Sequence, residues 1–403
     1  MTYRILSLDG GGAWALIEVQ ALLALYSADT KGRQILADFN LVAANSGGSL
    51  VLGGLVENLS LGDLLDYFFD ESKRRAIFSP THSWGDKALY EITGLGPKYS
   101  AEAKLPALER LLPQTGDRRL TDVARRIRRP GGDDDLHVLI VGFDYDRNRA
   151  TFFRSAPAGS TPGWGTGAAA TVTLAQAIHA STNAPVNYFD GPAEFPDRPE
   201  RYWDGGITGC NNPVLAAVTE AVVLGNKPTD IVALSLGTAS VVLPLMRPGD
   251  TPSPYLVPRS DTGLVHDLRK LATAILDDPP DAATFNAHVL CGGRGSLPSS
   301  VPPSVESRIV RLNPLISPVK DSATNQWTAP KGLTVAQFKY LCGLDMDAVE
   351  QGQVAAIAQY AGLWLANKAP NQPIRIDGDT LKPEIGYGFC GDALAAWSVL
   401  KAI

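Results

Sequence analysis

Two apolar runs near the start of the chain each break at small residues and pass straight into a helical pattern. Residues 3–8 read as a short buried strand that stops at Asp9-Gly10-Gly11-Gly12, and residues 13–27 then carry helical apolar spacing at Leu16, Val19, Leu22 and Leu23. Residues 39–44 repeat the pattern, turning sharply at Asn45-Ser46-Gly47 into a helix that runs to about residue 57. Two glycine-rich β-to-α turns in succession point to a parallel α/β sheet, because parallel neighbours need a crossover and a helix supplies it.

The same reading predicts strands at 137–144, 150–154, 231–236 and 308–312, and helices at 61–71, 101–112, 174–180, 213–223 and 346–366. Residues 241–303, rich in Pro and Gly at both ends, read as an insertion or lid-like excursion with one amphipathic segment at 266–278. The tail beyond Ala369 is punctuated by Pro and Gly and reads as packing back onto the body. No internal repeat or low-complexity tract is present.

A chain of 403 residues with 19% charged and 45% hydrophobic residues can bury a substantial core. Its net charge of -6 argues against a nucleic-acid binder, which ordinarily carries a basic excess. Cys210, Cys291, Cys342 and Cys390 lie far apart with no C-x-x-C pair, which argues against a zinc site or a dense disulfide framework and fits a reducing compartment. No apolar run approaches the roughly 20 residues that span a bilayer, and the N-terminus does not read as a signal peptide. The expected address is cytoplasmic, with export by a secretion machine left open.

Three short constellations carry chemistry. Ala44-Asn45-Ser46-Gly47-Gly48 lies where an apolar strand meets a helix, the setting a nucleophile elbow requires, although alone it reads more readily as an ordinary strand-to-helix turn. Asp9-Gly10-Gly11-Gly12 exposes consecutive N–H groups ahead of a helix N-terminus, so it suits a phosphate or the oxyanion of an acyl-transfer intermediate. No Gly-Lys-Ser/Thr follows it, and Ala15 stands at the last glycine position of the dinucleotide fingerprint. Trp203-Asp204-Gly205-Gly206 follows a short strand and leaves an aspartate free to take a proton from a serine, although Asp-Gly-Gly by itself is more often a turn.

Taken in order, these motifs resemble the patatin-like phospholipase family, whose pattern is a glycine-rich oxyanion loop, a G-x-S-x-G nucleophile and a D-G-[AG] aspartate. Ser181-Thr182-Asn183-Ala184-Pro185 ahead of Tyr188-Phe189, Leu234-Ser235-Leu236-Gly237-Thr238, Arg311-Leu312-Asn313-Pro314 and Leu344-Asp345-Met346-Asp347 look similar too, so the resemblance runs from about residue 3 to about residue 368. It implies a three-layer α/β/α fold with a central, mostly parallel sheet. The hydrolase domain would span 1–370, and 371–403 would be a C-terminal extension. It further implies Ser46 as nucleophile, Asp204 as its base, and N–H groups of Gly10, Gly11, Gly12 and Gly47 as the oxyanion hole. The implied reaction is hydrolysis of phospholipids or other fatty-acyl esters through a covalent acyl-enzyme, with no cofactor or metal and with transient contact at a membrane surface. Two departures stand out: Trp14 and Ala15 where the family has Arg and Gly, and Ala44 where it has Gly.

Rival readings remain at this level. A Ser46–Asp204 triad completed by His266 or His288 is formally possible, whereas His179 reads as a packing histidine. A non-catalytic lipid-binding or interaction protein of the same fold is the alternative from another class, and a nucleotide-binding protein using the glycine loop is a third. Leu61, Leu64, Leu65, Phe68 and Phe69, and the 266–278 face of Leu268, Leu271, Ala272, Ile275 and Leu276, could each meet lipid or simply pack. Arg118, Arg119, Arg125, Arg126, Arg128 and Arg129 concentrate positive charge, and Asp133–Asp135 follow closely enough to neutralise it.

Overall fold

A computed structural model describes residues 2–81, 96–125, 127–128, 135–155, 172–196, 198–259, 262–293, 307–321, 323–324, 326–374 and 386–402. The main sheet contains β1 (Tyr3–Leu8), β2 (Leu41–Ala44), β3 (His137–Asp144), β4 (Arg149–Arg154), β5 (Ala193–Phe195), β6 (Arg198–Asp204) and β7 (Ile231–Leu236). A two-residue strand β8 (Ser240–Val241) lies off it, and β9 (Ile309–Leu312) completes it. The strand order is β5-β6-β3-β2-β1-β7-β9, with β4 also paired to β3. The four pairings joining β3, β2, β1, β7 and β9 are parallel, whereas β4 and β6 run antiparallel to β3.

Alternation along the parallel strands builds two cores. Leu6, Leu8, Val42, Ala44, Val138, Ile140, Leu234 and Leu236 face one layer, packed by the helices Leu16–Leu23, Ser46–Glu57, Leu174–Ser181 and Gln351–Leu365. Ile5, Leu41, Ala43, Leu139, Val141, Ile231, Ala233 and Ile309 face the other, covered by Val214–Val223 and by the C-terminal part of Leu264–Leu290 through Ala283 and Ala287. Strands buried on both faces need apolar residues at successive positions, which is why these runs look continuous in the sequence.

Several boundaries differ from expectation for identifiable reasons. The helix expected over 13–27 is a 3₁₀ turn at Gly12–Ala15 followed by Leu16–Leu23. The one expected over 61–71 ends at Phe69, because the Asp70 side chain accepts from the N–H groups of Ser72 and Lys73 and starts a second helix, Glu71–Ile77. The last long helix begins at Gln351, behind a Glu350–Gln353 capping box, instead of at Met346. Residues 264–290 form one helix that contains Pro279 and Pro280. On its expected lipid-facing side Ile275 is exposed, while the side chains of Leu268, Leu271, Ala272 and Leu276 lie outside the described residues, as do the His266 side chain, Arg126, Arg129, Asp133 and Asp134. Arg128 pairs with Asp135 at 2.7 Å, so the basic concentration is partly neutralised within itself.

The terminal helix Cys390–Ala402 docks beside the start of the chain. Trp397 stacks on Phe39 at 5.9 Å between ring centroids, Arg4 donates to the Lys401 carbonyl at 2.6 Å, and Lys401 pairs with Asp38. Trp397 is 1% exposed. Trp397→Ala should therefore lower the unfolding free energy by about 3–5 kcal/mol, measured by urea denaturation, while a change below about 1 kcal/mol would show this helix to be dispensable to the fold.

Candidate active site

Strand register sets the site. Leu8 and Ala44 are paired neighbours, so the glycine loop and the elbow leave the sheet side by side. On β3, β4 occupies one edge from Leu139 to Asp144. The other edge is shared: β2 pairs with His137–Ile140 and β6 with Gly142–Asp144, running the opposite way. β2 and β6 therefore meet head to head, and Asp204 arrives at the turn where Ser46 begins its helix.

Ser46 has a backbone φ of 46°, a left-handed conformation that is uncommon for a residue with a side chain and costs of order 1–3 kcal/mol. The surroundings enforce it. The Ser46 N–H donates to Ser181 Oγ at 2.8 Å, and the Gly48 N–H donates to the Asp9 carbonyl at 2.9 Å. A Cβ on Gly48 would lie 2.6 Å from the Leu8 and Asp9 backbone, so helix and strand touch only because that residue is glycine. Ala44, the departure from the family pattern, places its methyl in the core layer beside Leu8 and Val42.

Asp204 is buried and its carboxylate accepts from the Gly206 N–H at 2.7 Å and from Asn45 Nδ2 at 3.3 Å, with the Ser46 hydroxyl near enough to favour the ionised form. Burial pushes its acidity constant above the ordinary carboxylate value, against the lowering effect of these bonds and of Lys104 nearby. Gly205 is squeezed between Asn45 and Val141, where a Cβ would sit 2.4 Å from Asn45 Oδ1. In Asp204-Gly205-Gly206, then, one glycine permits the approach and the other supplies a bond. Among the described residues no histidine touches the Asp204 carboxylate. His137 bonds Glu220, His288 bonds Ser307 and His179 is buried among apolar groups, while His82 and the His266 side chain lie outside the described residues.

The glycine loop is as crowded as its sequence suggested. Cβ atoms would collide with Asn211 at Gly10, with Thr238 at Gly11 and with the Met346 carbonyl at Gly12. The Gly10 N–H donates to the Asn211 carbonyl at 2.9 Å, so Gly10 shapes the loop and its N–H is already committed. This corrects the expectation that all three glycines offer donors. The N–H groups of Gly11, Gly12 and Gly47 have no acceptor among the described residues. Beneath the loop, Arg311 reaches across β7, bonding Ser235 Oγ at 2.9 Å and the Asp9 carboxylate at 2.6 Å. Glu18 accepts from the Asp9 N–H at 2.6 Å. Burial raises the Asp9 carboxyl to about 6 and holds Glu18 well above its usual value, each in spite of Arg311.

A slot of about 10 Å³ opens on Ser46, with Gly12 and Gly47 beside it and Tyr188, Phe189 and Met346 opposite. It has room for roughly one water. Leu50, Ile77 and Phe78 line one side and also line a second cavity of about 60 Å³ that continues past Gly54, Leu64, Leu108 and Ile178. Trp14, where the family has Arg, donates from Nε1 to the Asp345 carbonyl at 3.1 Å. The segment Asp345–Asp347 that it anchors is also tied by Tyr99 and Lys98 to Asp347, each at 2.6 Å, and by Tyr188 to Asp345.

Sequence reasoning missed Asn45, Ser181 and Lys104 as parts of this site. Asn45 adjoins the elbow and could have been suspected, but the other two are brought in by tertiary packing. Among the described residues no group of three or more His, Cys, Asp or Glu side chains is placed to hold a metal ion, and no helix is long and apolar enough to cross a membrane.

Removing Arg311 alone should be costly, since it leaves Asp9 buried without its cation. Arg311→Met is expected to lose about 3–5 kcal/mol in denaturant unfolding, and Asp9→Asn added to it should recover most of the loss. Equal stability of the single and double variants would mean that the ion pair does not hold the loop.

A family model described as patatin-like phospholipase matches residues 6–218, and no curated protein matches the chain. Among solved structures, the crystal structure of VipD from Legionella pneumophila is similar at 12% identity and a TM-score of 0.34, covering 90% of this chain and 67% of that one.

Proposed function

The chain belongs to the patatin-like phospholipase family, and from that premise we propose that it hydrolyses lipid acyl esters through a Ser46–Asp204 dyad. The observation that carries the reading is the placement of Asp204 against the elbow, its carboxylate accepting from Nδ2 of Asn45 at 3.3 Å, next to a serine held in a left-handed turn. Ser46 Oγ attacks the ester carbonyl carbon while its proton passes to Asp204. The oxyanion is received by the N–H groups of Gly11, Gly12 and Gly47, donors already desolvated and fixed before the charge forms. Collapse of the intermediate breaks the carbon–oxygen bond, and the leaving alcohol takes the proton from Asp204. Water, giving its proton to the same carboxylate, then attacks the acyl-enzyme, and the fatty acid leaves as Ser46 is reprotonated.

The second cavity suits the acyl chain. It begins where Leu50, Ile77 and Phe78 end the Ser46 slot and is lined almost wholly by apolar side chains. In this reading, rotation of those three side chains joins the two spaces, and the chain runs between the helices Ser46–Glu57 and Ala101–Leu111.

Release of p-nitrophenol from acyl esters tests the dyad. Ser46→Ala and Asp204→Asn should each lower kcat by about 10⁴-fold or more with the fold intact by circular dichroism. Turnover by Ser46→Ala at the wild-type rate would refute the mechanism. The acyl path has a separate test in Leu108→Phe, which narrows the cavity far from the reacting atoms. Long-chain esters should lose about tenfold in kcat/KM relative to acetate or butyrate esters. Equal losses at every chain length would place the acyl group elsewhere.

A further inference from the structure

Lys104, on the helix Ala101–Leu111, is fully buried. Its Nζ donates to the Thr182 carbonyl at 2.9 Å and lies 3.4 Å from the centroid of the Phe189 ring. Both partners line the slot that opens on Ser46. Thr182 also precedes Asn183, whose carbonyl accepts the Asp204 N–H at 2.9 Å. An ammonium ion is expensive to bury, and a lysine used only as a spacer would be better replaced by an apolar residue. Its place here follows from what surrounds it.

We propose that Lys104 is a positioning residue for proton transfer, fixing the Thr182–Phe189 wall of the slot and supplying the positive charge that keeps the neighbouring Asp204 carboxylate ionised. This inference rests on the Ser46–Asp204 reading. The groups around the two side chains are complementary. Asp204 accepts from Gly206 and Asn45, and with the Ser46 hydroxyl nearby these favour the carboxylate over the acid. Lys104 meets a carbonyl oxygen and the negative face of an aromatic ring, and these favour the ammonium over the amine. These contacts work toward the ionised pair. Burial works against it, drawing Lys104 well below and Asp204 above their ordinary values, and the attraction between the two opposes both shifts.

Other titratable groups nearby do not take over this role. His179, from the helix Leu174–Ser181, is buried and held neutral by burial and by Lys104 itself. Asp190 is engaged at the N-terminus of the Lys104 helix, accepting from the Ala101 N–H and the Thr81 hydroxyl.

The test is the pH dependence of kcat/KM in wild type, Lys104→Met and Lys104→Gln, with Ser46→Ala in parallel. The base acts as a carboxylate, so activity falls as pH drops through the acidity constant of Asp204. Loss of a neighbouring cation raises that constant. Both variants should show the acidic limb displaced upward by about one pH unit, with the high-pH plateau within a few-fold of wild type. An unmoved limb in both overturns the proposal. So does a limb that moves in Lys104→Met but not in Lys104→Gln, since glutamine keeps a donor for Thr182 and such a result would assign a purely structural role. Carbon-13 resonances of the Lys104 side chain in the wild-type protein give a reading that needs neither turnover nor a folded variant. A protonated amine around neutral pH is required, and a neutral one there also overturns the proposal. Equal turnover by wild type and Ser46→Ala would instead refute the dyad, leaving the amine resonance to judge Lys104 alone.

Discussion

Two strands share one edge of β3, and the arrangement of the site depends on that. β2 covers only His137–Ile140, leaving the rest of the edge free for β6 to fill from the opposite direction. A longer β2 would displace β6. A parallel β6 would carry its C-terminus away from the elbow. As it is, Asn45 and Asp204, 159 positions apart, come within a hydrogen bond, and the two chain ends hold each other in place. The antiparallel exception in a mostly parallel sheet is thus what brings Asp204 to the turn at Ser46.

Buried charge is handled in two ways around this junction. Under the glycine loop, Arg311, Asp9 and Glu18 form a compact cluster in which one cation serves two carboxyl groups, and both carboxyl groups are pushed toward the neutral form. Among the described residues Asp9 Oδ1 and Glu18 Oε2 have no hydrogen-bond partner, which fits a cluster retaining an extra proton. Around Asp204 the arrangement differs: donors converge on the carboxylate and acceptors on the lysine, and both sets of contacts oppose the neutralising effect of burial.

What the sequence made legible was whatever is decided by local chain geometry. β1, β2, β3 and β7 are apolar runs because both faces are covered, and the glycines at 10–12, 47, 48 and 205 stand where neighbouring atoms leave no room for a Cβ. β6 was harder to read, since its Arg198-Pro199-Glu200 start is polar and its pairing is antiparallel and long-range. The helix Val335–Cys342 carries a Thr334–Gln337 capping box that marks its start, but its apolar face is short. The terminal helix Cys390–Ala402 has little amphipathic pattern, and its docking depends on Trp397 meeting Phe39. Lys104 was invisible for a related reason: a lysine in a helix with Glu102 and Arg110 looks like a solvated residue until the Thr182–Phe189 segment closes over it.

The departure at Trp14 finds its explanation in the same packing. That position is 6% exposed and belongs to the core layer under the loop. An arginine there would need several acceptors to offset its burial, whereas an indole needs one, and the Asp345 carbonyl provides it. The bond ties the glycine loop to the segment that carries Met346, whose carbonyl also accepts the Ala13 N–H at 2.9 Å. The two sides of the slot are therefore unequal. Its floor, made of the loop and the elbow, rests on buried bonds and on glycines that tolerate no displacement. Its roof is fastened partly by Lys98 and Tyr188 to Asp345, a carboxylate that is half exposed, where ion pairs and hydrogen bonds to solvent-facing groups contribute little. Disturbing the floor costs more than disturbing that part of the roof, so the loop and the elbow are the parts of the slot that the fold holds most firmly.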